Sequence, residues 1–159
     1  MHRNIHYEAA FEDYLRSQGV PYVPVDESRK AIFGGTKVKS FDFIVYPHSG
    51  PPWIVDIKGR KFPYESGDGS KRYWENWITE EDLTALAEWE SVFGANYEAR
   101  FVFAYHLTGP ADRWPVVTPH PFRGASYGFL SVSRQMYEQA CKRRSPRWET
   151  VDLARADFR

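Results

Sequence analysis

Phe41–Phe62, FDFIVYPHSGPPWIVDIKGRKF, is the stretch on which the fold turns. β-Branched and aromatic residues flank a Pro- and Gly-rich turn, Pro47–Pro52, which predicts strands over Val38–Tyr46 and Trp53–Phe62 joined as a hairpin. With the turn centred on Ser49, residues whose numbers sum to 98 pair, setting Asp42 opposite Asp56 and Ile44 opposite Ile54. Two carboxylates directly across a ladder lie roughly 5 Å apart at Cβ and repel unless a positive group stands between them. Phe41, Phe43, Val45, Val55 and Ile57 are too apolar for a solvated edge, so the acid pair needs a partner. Asp56 and Lys58, two apart on one strand, share a face. Lys58 is one possible partner and a divalent cation is another.

Outward from the hairpin, the pattern alternates helix and strand. Asn4 caps a helix over about Ile5–Gln18 that Gly19 stops, with Tyr7, Ala10, Phe11, Tyr14 and Leu15 on one stripe. Pro21–Val25 reads as a short strand and Gly34-Gly35 as a turn. Thr79–Gly94, TEEDLTALAEWESVFG, is an amphipathic helix capped by Thr79, with acids filling its first turn and Gly94 closing it. Ala99–Leu107 is a buried strand and Ser126–Val132 another; a helix over Ser133–Arg144 and a strand near Trp148–Leu153 complete the chain. The expected class is α/β, a mixed central sheet flanked by helices, in the order α-β-β-β-α-β and then β-α-β. The 159 residues suit one domain, with a core over about 5–107 and an extension over about 108–159.

Composition removes several functions. No run approaches the roughly 18 apolar residues of a membrane span, and Met1 leads into a polar segment, so a cytoplasmic chain with no membrane partner is expected. The single Cys141 excludes an internal disulfide and argues against a thiolate metal site. The five histidines show no metal-ligand spacing, and there is no P-loop, Gly-x-Ser-x-Gly or dinucleotide fingerprint. The net charge is zero but unevenly spread: nine Lys/Arg against four acids over Arg29–Arg72, then seven acids and no base over Tyr73–Ala99. Lys39, Arg60, Lys61, Lys71 and Arg72, interleaved with Tyr73 and Trp74, could line a nucleic-acid groove through phosphate contacts and stacking. Equally, the tryptophans could simply clamp a long loop onto the body.

Asp42, then Asp56-Ile57-Lys58 fourteen residues on, after a helix that carries Glu8, resembles the PD-(D/E)xK nuclease superfamily, with Phe41 in place of its usual proline. In detail it is most similar to the archaeal Holliday junction resolvases; Glu8 stands eleven residues before the helix-ending Gly19. His6-Tyr7-Glu8-Ala9-Ala10-Phe11-Glu12 also resembles an uncharacterised bacterial family named for a HYExAFE motif, which carries no activity with it. The nuclease resemblance implies a restriction-endonuclease-like core and a Mg²⁺-dependent nuclease on DNA, with branched or damaged DNA as candidate substrates and a homodimer as its form. It makes Glu8, Asp42, Asp56 and Lys58 catalytic. Asp42, Asp56, the main-chain carbonyl of Ile57 and Glu8 would hold Mg²⁺, or Mn²⁺ as a substitute. Lys58 would orient or deprotonate the attacking water. Glu12 is expected in solvent. The alternative is an inactive nuclease-like module that binds nucleic acid or protein, for which the acids are structural.

Overall fold

Helix α1, Ile5–Ser17, ends where Gly19 takes a positive φ of 66°, a conformation that glycine adopts without a Cβ penalty. In the computed structural model the described residues are 5–25, 31–33, 36–62, 64–65, 72–73, 76–109, 119–145 and 150–152. After α1 come β1 (Tyr22–Pro24), β2 (Ala31–Phe33), β3 (Thr36–Val38), β4 (Phe43–Val45), β5 (Trp53–Phe62), β6 (Tyr64–Glu65), β7 (Arg72–Tyr73) and β8 (Ile78–Thr79). Helix α2 (Glu80–Phe93) and β9 (Glu98–Leu107) follow. The chain then forms β10 (His120–Phe122), β11 (Ala125–Ser133), α3 (Arg134–Ala140), β12 (Lys142–Ser145) and β13 (Thr150–Asp152).

Among the described residues six strands form the central sheet in the order β1-β4-β5-β9-β11-β10, antiparallel except for the pair β5 and β9. A parallel pair needs a crossover, and α2 lies within it. From Phe43 onward the hairpin has the expected register, with Phe43 facing Val55, Ile44 facing Ile54 and Val45 facing Trp53. The expected pairing of Asp42 with Asp56 is not formed: the Asp42 N–H goes to the Val55 carbonyl instead. The strand expected over Val38–Tyr46 is interrupted, however. β3 turns back onto β2, and the ladder with β5 begins only at Phe43. The cause lies in Asp42, whose carboxylate accepts the Ile57 N–H at 2.6 Å, a bond that a continuing strand would make with a main-chain carbonyl.

The two faces of β5 and β9 feed two cores. Val55, Ile57, Val102 and Ala104 pack with Phe11 and Leu15 of α1. Ile54, Phe62, Phe101, Phe103, Tyr105 and Leu107 pack with Leu86 of α2 and Tyr137 of α3. The expected α/β arrangement, helices on both faces of a mixed sheet, is the observed one. Because β9 is covered on both sides, its central run, 101–105, is continuously apolar and buried and does not alternate.

Two further departures have local causes. Helix α3 stops at Ala140, short of the expected Arg144, because the backbone of Lys142–Ser145 pairs with β13. Strand β10 is joined to β11 through Arg123 (φ 49°) and Gly124 (φ 78°), both left-handed as a primed hairpin turn requires. An arginine at the first of these positions hides the usual Asn-Gly signal.

Gly59 of β5 is where helix and sheet approach most closely. A Cβ built there would lie 2.1 Å from Cδ2 of Tyr7, so the tyrosine ring rests on bare backbone. Gly59→Ala should cost about 1–3 kcal/mol by overpacking. The loss should shrink in a Tyr7→Ala background, which urea unfolding of the four variants of the cycle would show.

Candidate active site

Asp56, Lys58 and Arg60 alternate with the α1-facing residues Val55, Ile57 and Gly59, so they project toward the α2 layer. There Lys58 Nζ meets two carboxylates, Asp56 Oδ2 at 3.4 Å and Asp82 Oδ2 at 3.2 Å. Asp82 is the third residue of α2 and closes its capping box. Its N–H donates to Thr79 Oγ1 at 3.0 Å, and its Oδ2 accepts the Thr79 N–H at 3.1 Å. The other Asp82 oxygen accepts from Lys39 Nζ at 3.1 Å, and Lys39 also reaches Glu81 at 3.3 Å. Trp89 Nε1 donates to the Lys39 carbonyl and ties that segment to α2. Three acids and two ammonium groups thus alternate in the order Asp56, Lys58, Asp82, Lys39, Glu81. The side chains of Asp82, Asp56 and Lys58 are only 7, 15 and 16% exposed.

Enclosure makes the charges interdependent. Burial alone would raise the Asp82 carboxyl, but Lys58, then Lys39, then the Thr79 hydrogen bonds outweigh it and hold the group at about 2. Burial likewise opposes the Lys58 charge, yet Asp56 and Asp82 prevail and its pKa is raised. Lys58 is therefore an ammonium at neutral pH. Asp56 is raised, chiefly by burial and further by Asp82, against the pull of Lys58. Asp42 stands where the ladder ends. Its N–H donates to the Val55 carbonyl at 2.9 Å, its carbonyl accepts from Val25, and its buried carboxylate sits on the amide between Asp56 and Lys58.

The other expected residues are distributed unevenly. Glu8 is half-buried on α1, whose Tyr7 packs against the face of β5 opposite to Asp56 and Lys58. Glu12, expected in solvent, is half-buried and accepts the Tyr22 hydroxyl at 3.0 Å. The Arg60 guanidinium lies 4.4 Å over the Trp77 ring and donates to the Trp77 carbonyl, so it clamps that segment to the sheet. Lys39 and Lys61 are exposed. Lys71 and Trp74 lie outside the described residues; Arg72 and Tyr73 are described only as backbone in β7, paired with Glu65 and Tyr64. Asp82 was not singled out from the sequence. Its position in the capping box was legible, whereas the approach of Lys58 was not.

As donors for an ion, the Asp42 and Asp56 carboxylates and the Ile57 carbonyl are hard oxygens. Mg²⁺ is commonly held by one or two carboxylates and water, so this set fits it. Among the described residues no group of three or more His, Cys, Asp or Glu is gathered tightly enough to hold a metal ion by itself.

The fold is restriction-endonuclease-like. In shape the chain is similar to Hjc, a Holliday junction resolvase from the archaeal hyperthermophile Archaeoglobus fulgidus, with a TM-score of 0.50 at 13% identity over 97% of this chain and 90% of that one. At that identity the likeness speaks for the fold. No protein-family model and no curated protein matches the chain. Among the described residues no helix is long and apolar enough to cross a membrane.

A carboxyl whose folded pKa is depressed stabilises the fold above its ordinary value, here 3.8, and the contribution vanishes as pH falls through about 2. Asp82→Asn should therefore lower stability at pH 7 by about 2 kcal/mol. The gap to the parent chain should close between pH 4 and pH 2, as urea midpoints across that range would show. Asp56 acts with the opposite sign, since its raised pKa means the folded state holds its proton more tightly.

Proposed function

We propose that this chain is a Mg²⁺-dependent nuclease that hydrolyses phosphodiester bonds in DNA. One observation carries the reading: Asp56 and Lys58 stand side by side on β5 while the Asp42 carboxylate sits on the Ile57 amide between them. The resolvase-like fold supports it. Asp42, Asp56 and the Ile57 carbonyl would hold Mg²⁺ or Mn²⁺. When bound, such an ion polarises a phosphate oxygen and lowers the pKa of a coordinated water. Lys58, whose ammonium lies between Asp56 and Asp82, is suited to orienting or deprotonating the attacking water and to stabilising negative charge on the phosphate. Exposed Lys61 would contact backbone phosphates, and so would the exposed part of Lys39, whose ammonium stays paired with Asp82 and Glu81. Lys71, Arg72, Tyr73 and Trp74, expected from the sequence pattern to meet nucleic acid, are proposed as further contacts. Glu8 is the member with least support, because α1 packs on the other face of β5. A homodimer, expected from the same resemblance, completes the reading.

A second reading, a non-catalytic module that binds nucleic acid or protein, is favoured by the net charge of zero, since phosphate binding usually leaves a basic footprint. Cleavage of single-stranded, duplex and branched DNA with Mg²⁺ and Mn²⁺ separates the two. The nuclease should cut at least one of these, and Asp56→Ala and Lys58→Ala should each reduce the rate by about 100-fold or more. Identical behaviour of parent and variants on every substrate would reject catalysis. DNA binding without a calorimetric Mn²⁺ site sensitive to Asp42→Ala or Asp56→Ala would select the second reading.

A further inference from the structure

Asp82 belongs to no part of the acid–x–lysine arrangement, yet it receives two lysines from separate segments on one buried carboxylate. Its own position is over-determined. The capping box fixes it to Thr79, Thr79 pairs with Thr150 of β13, and the Tyr137 hydroxyl of α3 donates to the Asn76 carbonyl at 2.7 Å just upstream. A carboxylate held this firmly dictates where a flexible lysine puts its ammonium. Without it, Lys58 would have Asp56 as its remaining carboxylate partner in this network and would collapse onto the acid proposed to hold the ion.

We infer that Asp82 is a positioning residue, which shares the Lys58 ammonium with Asp56 and thereby keeps Lys58 directed at the phosphate while leaving Asp56 an oxygen donor. The inference rests on the nuclease reading and deepens it. Lys39 completes the device by balancing the second Asp82 oxygen, so that Asp82 holds Lys58 without adding an uncompensated negative charge beside Asp56. The C-terminal elements α3, β12 and β13 then serve the site indirectly, by fixing the segment from which α2 starts.

The test compares Asp82→Asn, which keeps an oxygen for the Thr79 N–H but removes the charge, with Asp82→Glu, which restores a carboxylate. Both are measured at a temperature where circular dichroism shows them folded. Asp82→Asn should lower kcat on the cleaved DNA by about 10- to 100-fold, the range seen when a supporting partner of a reactive group is removed. KM should change less than about twofold, Asp82→Glu should recover part of kcat, and in a Lys58→Ala background Asp82→Asn should have no further effect. Independently of activity, the ¹⁵N-lysine ammonium resonance of Lys58 should shift in Asp82→Asn and return toward its original position in Asp82→Glu. An unmoved Lys58 resonance, equal loss of kcat in both variants, or an additive loss in the Lys58→Ala background overturns the inference. If the parent chain cleaves none of the DNAs, the nuclease reading fails first and the inference falls with it; cleavage by the parent with unaltered kcat in Asp82→Asn overturns the inference alone.

Discussion

The pleat of β5 constrains everything else in this molecule. Because side chains alternate, ten consecutive residues serve two layers at once: Val55, Ile57 and Gly59 accept α1, while Ile54, Asp56, Lys58 and Arg60 meet α2 and its approach. Gly59 lets Tyr7 come close to the backbone just beyond Lys58, so the packing on one face holds the strand whose other face carries the charges. A shift of one residue would bury Asp56 and Lys58 under α1 and turn Val55 and Ile57 toward Asp82. Register on this strand is therefore a matter of chemistry as well as packing.

The charges on the α2 face are the second consideration. Burying an ammonium or carboxylate costs several kcal/mol, and mutual attraction offsets this only where the geometry is good and the remaining sites are hydrogen-bonded. Lys58 with two carboxylates, and Asp82 with two lysines and the Thr79 bonds, meets that condition. Asp56 meets it less well, and its raised pKa records the deficit. Asp82 shows the opposite balance: Lys58, Lys39 and the Thr79 bonds outweigh its burial and depress its pKa.

Legibility followed the range of the interactions. The hairpin register, both helix caps of α2, the α1 stripe and the same-face relation of Asp56 and Lys58 depend on neighbours in sequence, and each could be read. The break at Asp42 could not, because it arises from a side chain replacing a main-chain acceptor across the hairpin. The β10–β11 turn was masked by Arg123 in a left-handed conformation that its residue type rarely signals. Arg60 read as a phosphate contact from basic residues interleaved with aromatics, and the structure shows its guanidinium lying on Trp77.

By itself, the sequence determined an α/β chain with helices on both sides of a mixed sheet, and an acid–x–lysine pair on one face of its hairpin. Periodicity and turn chemistry are local and leave their mark residue by residue. Only tertiary structure decided that α1, with Glu8, lies across the sheet from that pair, and that Asp82, twenty-four residues beyond Lys58, shares the lysine with Asp56. The crossover through α2 sets that meeting, and the packing of α2 on β9 fixes its distance.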